Sequence, residues 1–234
     1  MPVYQLPKEL VFPDPENAAE GGLLAVGGDL SLQRLLLAYS RGIFPWYTEG
    51  DPILWWSPDP RLILDPDGFR VSKSLKRIIK KKVFTVTMDC CFARVIRKCA
   101  TIKRKHERGT WITDAMIAAY IKLHRAGVAH SVETWEGRRL VGGLYGVSLG
   151  KAFFGESMFS EKPDASKVAL VFLVGALRSW GMDLIDCQVA TEHLARMGAR
   201  SIPRAEFLHR LDAALAYETR GGTWTVPEEL ELIA

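Results

Sequence analysis

The chain has 234 residues, 48% hydrophobic and 25% charged, enough for one large domain or one domain with a small companion, and too apolar to stay disordered. Its longest apolar run, residues 168–177, falls well short of the roughly 20 residues that cross a bilayer, so no membrane span is expected. The net charge of +4 is unevenly placed: residues 70–108 hold 14 Lys/Arg against Asp89 and Glu107, which marks a polyanion-binding surface or a solvated charge run.

The start, MPVYQLPKELVFPDPE, lacks the charged, apolar and small-residue succession of a signal peptide, which predicts a cytoplasmic protein. The four cysteines (Cys90, Cys91, Cys99, Cys187) show neither CxxC spacing nor a matching histidine pair. Reduced thiols are therefore expected, with no zinc site and no disulfide framework.

In chain order, turn formers and aromatics dominate residues 1–62, where a small N-terminal domain is expected. It contains a helix over residues 31–40, capped by Ser31, with Leu32, Leu35, Leu36 and Tyr39 as its apolar face and Gly42 as its stop. VSKSLKRIIKKK predicts a helix capped by Ser72, with Leu75, Ile78 and Ile79 inward and Lys73, Lys76, Arg77, Lys80 and Lys81 forming an outward basic ridge. Thr113 caps a further helix, with a stripe of Ile117, Tyr120, Ile121 and His124, which Gly127 ends. From His130 three strands follow as an antiparallel meander, turning at Glu136-Gly137 and Leu149-Gly150. A buried helix capped at Asp164 and closed by Gly181 leads into the strand DLIDCQV. TEHLARMG and a segment from Pro203 to about Tyr217 then predict two more helices. Residues 63–234 read as an α+β domain with a mixed sheet.

Two stretches carry carboxylates in apolar strands. In LIDCQV, alternation puts Leu184, Asp186 and Gln188 on one face, with Ile185, Cys187 and Val189 on the other. In FFGESMFS it puts Glu156 on the face of Phe154 and Met158. Buried carboxylates are costly unless hydrogen-bonded or used, so each is either a paired structural charge or part of a polar site. A thiol site at Cys187 with His193 or His130 is disfavoured, because Cys187 faces away from Asp186. No histidine pair suggests a metal.

GGLLAVGGDLS, GIFPW, WWSPDPR, GTWIT, AHSVETW, LVGGLYG, FFGESMFS, DASKVAL and LIDCQV, spread over residues 21–189, together resemble the motifs of the bacterial leucyl/phenylalanyl-tRNA-protein transferases. The one departure noted is HLARMGA, with Arg196 and Met197 where the family usually has serine and leucine. The resemblance implies that residues 63–234 form an acetyltransferase-like (GNAT) domain. The stretch SEKPDAS before the buried helix has no glycine for a pyrophosphate loop, which argues against CoA.

The same resemblance implies transfer of Leu or Phe, with Met less well, from aminoacyl-tRNA to the α-amine of proteins or peptides beginning with Arg or Lys, marking them for degradation. It implies Asp186 and Gln188 as the catalytic pair, with Asp186 the charged partner and Gln188 orienting the reacting groups, and Glu156 facing the cationic acceptor. Whether Asp186 or a ribose hydroxyl takes the proton stays open. Leu144, Phe153, Met158, Phe172 and Ile185 are expected to form the aminoacyl pocket, and Trp46 and Trp111 to stack on the terminal adenine. The basic ridge would hold tRNA phosphates. Exchange of an ester for an amide needs no metal or cofactor, and a monomer is expected.

Overall fold

A computed structural model describes residues 3–102 and 111–230. The N-terminal part builds a small mixed sheet from β1 (Tyr4–Leu6), β2 (Leu23–Gly27), β3 (Phe44–Pro45) and β4 (Leu54–Trp56), in the order β1-β2-β4-β3 with β1 parallel to β2. Helix α1 (Leu32–Ser40) lies between β2 and β3 in sequence. Ser31 Oγ accepts from the Arg34 amide at 3.3 Å, the expected cap, and Gly42 takes a positive φ of 68° just past the end. Leu35, Ala38 and Tyr39 are fully buried.

The change of sheet comes between Trp56 and Arg61, because β5 (Arg61–Leu64) already belongs to the second, larger sheet. The rest follows as α2 (Lys73–Lys80), β6 (Thr85–Met88), α3 (Phe92–Thr101), α4 (Asp114–Arg125), β7 (Ala129–Glu136), β8 (Arg139–Leu149) and β9 (Ala152–Ser160). Then come α5 (Ala165–Ser179), β10 (Leu184–Gln188), α6 (Glu192–Arg196), β11 (Arg200–Ile202) and α7 (Arg204–Leu215). The larger sheet runs β11-β5-β10-β9-β8-β7-β6, antiparallel except for the pair β9 and β10, which α5 connects. A connection of that length is what a parallel pair requires.

Helices cover both faces of this sheet. Leu184, Phe154 and Tyr145 join one core cluster with residues of α1, α3, α4, α7 and the small sheet. Ile185, Phe153 and Leu144 join another with α5 and α2. No helix among the described residues is long and apolar enough to cross a membrane.

The antiparallel meander and its glycine turns stand where expected, whereas three local readings change. The buried face of α4 is Met116, Ala119, Tyr120 and Leu123, with Ile117, Ile121 and His124 half-buried. One residue of helix is about 100° of rotation, so choosing Ile117 over Met116 turns the stripe by that much. Asp164 stands at the start of α5 with a φ of 66° and makes no capping bond; its carboxylate takes Lys167 Nζ at 2.6 Å instead. Strands β5, β6 and β11 and helix α3 carry too short or too charged a pattern to register in the sequence.

Candidate active site

The site is built where β9 and β10 part. They pair only over Ala152–Phe154 and Leu184–Asp186, while β9 runs on to Ser160 against β8 alone. Beyond that point both strands are irregular. Tyr145 pairs with Ser157 and Gly146 with Gly155, so Glu156 is the extra residue of a β-bulge. Asp186 pairs with Ile63 and Gln188 with Leu62, so Cys187 is the extra residue of another. Bulges re-aim side chains, and this breaks the simple alternation expected above. Met158 packs with the α5 cluster instead of sharing the face of Phe154. Gln188 adopts a φ of 63°, a conformation that costs a non-glycine residue about 1–3 kcal/mol.

Glu156 is 8% exposed and lies at the centre of a hydroxyl and amide network. Its Oε1 accepts from Tyr39 Oη at 2.8 Å and from Gln188 Nε2 at 2.8 Å, and its Oε2 accepts from Tyr120 Oη at 3.0 Å. The two tyrosine hydroxyls also contact each other. Tyr39 comes from α1 and Tyr120 from α4, so the small-sheet region and the large sheet meet at one carboxylate. Every donor is neutral. Burial pushes the Glu156 carboxyl up to about 7, against the lowering effect of its hydrogen bonds. Burial likewise raises both tyrosines well above their ordinary range, which keeps them protonated as donors.

Asp186 is fully buried and turned to the opposite side of its strand from Ile185. Its carboxylate takes Arg61 Nε at 2.8 Å and Arg61 Nη2 at 2.7 Å, a two-pronged pair, and Oδ1 also accepts from the Gln188 amide at 2.9 Å. The Arg61 guanidinium is sandwiched between the rings of Phe44 and Phe207, at 4.8 and 4.6 Å from their centroids. Asp186 thus lies behind Gln188 and pins the backbone of that strained residue; Glu156 and Gln188 line the cavity, and Asp186 does not.

That cavity has a volume of about 670 Å³. Leu144, Phe153, Met158 and Ile185 line it, and Leu170 and Leu173 of α5 join them. Phe172 does not, because two residues along a helix turn the side chain about 200° away from Leu170. Gln188 lines the cavity although its alternation partner Asp186 does not, and Cys187 lines it together with Ile185 and Val189, the neighbours that alternation gives it. Burial raises the Cys187 thiol far above the ordinary value, so it is held as a thiol and not a thiolate nucleophile. Trp46, 42% exposed, and Trp111 stand together on the cavity wall, with Trp46 packed against Trp56 at 5.7 Å.

Lys73, Lys76, Arg77, Lys80 and Lys81 are all exposed on and just after α2, whose start Ser72 caps from its side chain to the Leu75 amide. Lys103, Arg104, Lys105 and Arg108 of the basic run, and the Gly109-Thr110 part of GTWIT, lie outside the described residues. Arg196 is exposed and paired with Glu192 at 2.9 Å, and Met197 is buried in the α5 cluster. Among the described residues, no three His, Cys, Asp or Glu side chains converge as a metal site.

Sequence reasoning did not reach Tyr39 and Tyr120 as partners of Glu156, nor Arg61 as the partner of Asp186. The available signal was the placement of both tyrosines on core-facing positions of helices, where a buried hydroxyl needs an acceptor.

Comparison with known proteins places this assembly. The family model described as leucyl/phenylalanyl-tRNA protein transferase matches residues 63–212, and that of its N-terminal domain matches residues 28–59. A leucyl/phenylalanyl-tRNA–protein transferase of Anaeromyxobacter sp. (strain K) is 60% identical over 96% of this chain and 96% of its own. Those of Syntrophobacter fumaroxidans and Myxococcus xanthus are 58% and 56% identical, each over 96% of this chain, covering 96% and 97% of their own lengths. Among solved structures, L-PGS from Bacillus licheniformis is similar over 74% of this chain and 57% of its own, with 15% identity and a TM-score of 0.38. An acetyltransferase-like fold is not established by that likeness; the protein has a mixed α+β architecture with two mixed sheets. On the family match and these identities, the chain belongs to the leucyl/phenylalanyl-tRNA protein transferases, a family of aminoacyltransferases.

Proposed function

We propose that this chain moves Leu or Phe, and Met less well, from aminoacyl-tRNA to the α-amine of proteins beginning with Arg or Lys, a step that marks them for degradation. One observation carries the reading: an apolar cavity of about 670 Å³ has a buried but reachable carboxylate and an amide, Glu156 and Gln188, at its wall. The apolar part suits a Leu or Phe side chain, and a Met-lined slot is adaptable enough for methionine. The carboxylate suits a cationic acceptor. Trp46 and Trp111, both on the cavity wall, would stack on the terminal adenine, and the α2 ridge would meet the tRNA phosphates.

In this reading Gln188 touches the reacting groups, and Asp186, clamped by Arg61, is the residue that positions it. Asp186 already accepts three hydrogen bonds, two of them from the Arg61 guanidinium, and does not line the cavity, so it acts through Gln188. The exchange of an activated ester for an amide is downhill and needs holding more than activation, so no metal or cofactor is proposed. We also propose a division near residue 62, an acetyltransferase-like lineage for the larger sheet, a cytoplasmic location and a monomeric enzyme.

The test is direct. Radiolabelled Leu-tRNA is incubated with the protein and a peptide beginning with Arg, beside one beginning with Gly. Label on the Arg peptide alone is expected; label on both, or on neither, rejects the acceptor assignment.

A further inference from the structure

We propose that Glu156, gripped by Tyr39, Tyr120 and Gln188, is the group that takes the proton from the attacking α-amine and returns it to the departing ribose oxygen. This rests on the transferase reading and adds a chemical role to a residue that reading uses only for charge recognition.

The geometry supplies the reason. A carboxylate offers about four acceptor positions. Two donors occupy Oε1, from Tyr39 and Gln188, but only Tyr120 occupies Oε2. One acceptor position is left, on a residue that lines the cavity. An incoming amine therefore finds a fourth place on this carboxylate, whose side chain the bulge takes out of the regular alternation of β9.

The surroundings also suit a base better than a fixed anion. The titratable groups around Glu156 are Tyr39 from α1, Tyr120 from α4, Tyr145 on β8 beside Tyr120, and Asp186 from β10. The buried cation Arg61 is committed to Asp186. Among the described residues no cation pairs with Glu156, and burial raises it to about 7, where a group both accepts and releases a proton readily.

The step balances. The amine enters uncharged, its nitrogen attacks the ester carbonyl carbon, a C–N bond forms and the C–O bond to the ribose breaks. The surplus proton on nitrogen passes to Glu156 and from it to the ribose oxygen, which leaves as a hydroxyl. The carboxylate is regenerated, with no co-reactant.

The experiment measures the pH dependence of kcat for transfer from Leu-tRNA to an Arg peptide, both saturating, in the wild type, Tyr39→Phe, Tyr120→Phe and Glu156→Gln. A limb rising with pH, with a midpoint at about 7, is expected in the wild type. Each Phe variant removes a donor that favours the carboxylate, so its midpoint moves upward; a midpoint is independent of how much protein folds. Glu156→Gln loses about 100-fold or more in kcat and loses the limb, while still binding aminoacyl-tRNA. A limb that stays put in both Phe variants overturns the proposal. So does Glu156→Gln raising only the KM for the Arg peptide, which would make Glu156 a charge reader. No transfer by the wild type overturns the transferase reading along with it.

Discussion

Glu156 and Glu133 are two glutamates of one sheet with opposite situations. Glu133, on β7, is fully buried and accepts from Thr87 Oγ1 at 2.6 Å, Ser131 Oγ at 2.5 Å and the amides of Cys90 and Cys91, each at 3.4 Å. Four donors fill its acceptor positions, and it lines no cavity among those described. Glu156 has three donors and an open side. Burial raises the carboxyls of both, so the shift alone does not separate scaffold from chemistry; an unfilled acceptor position on a residue that lines a cavity does. Neighbouring Asp89 belongs with Glu133: it receives His130 Nδ1 and the amides of Ser131 and Trp224, at 2.7–2.8 Å, and ties the C-terminal segment to the sheet.

The largest expected effect lies in the closed class. Asp186→Ala strands a buried guanidinium, and loss of one partner of such a pair costs about 3–5 kcal/mol. Urea unfolding should show that loss, together with abolished transfer. Full stability would mean that the Arg61 pair is not the clamp described.

Next comes Glu133→Ala, which leaves four donors without an acceptor and should cost about 2–3 kcal/mol, with kcat per folded molecule unchanged. A tenfold or greater fall in kcat would erase the distinction between the two glutamates.

A smaller effect tests the sign of the Glu156 shift. Its folded-state value is above the ordinary 4.5, so its contribution to stability is complete below that value and is lost as pH rises through about 7. Glu156→Gln should therefore gain on the wild type by on the order of 1–2 kcal/mol between pH 5 and 8. Unfolding curves with parallel pH dependence in both proteins would contradict the raised value.

The smallest effect is at the surface. Lys76→Ala with Arg77→Ala should reduce the slope of log tRNA affinity against log salt by about 1–2, leaving acceptor kinetics alone. An unaltered slope would remove α2 from the tRNA surface.

Much of the fold is legible from local pattern. The caps at Ser31, Ser72 and Thr113 read correctly because an N-cap is a short-range bond between a hydroxyl and an amide three residues on. The meander reads correctly because its glycine turns are also local. Leu144, Phe153, Met158 and Ile185 were placed in the cavity by strand position and resemblance, while Phe172 was not separable from Leu170 and Leu173 in a helix apolar on nearly every side.

The sequence by itself determined which residues are unusual, Glu156, Asp186 and Gln188 in apolar strands, and which family their motifs resemble. Only the tertiary structure decided what each carboxylate meets. Arg61 is 125 positions from Asp186, and Tyr39 is 117 from Glu156. Such pairings arise from sheet order and from bulges that add one residue to a register, and neither leaves a period in the chain.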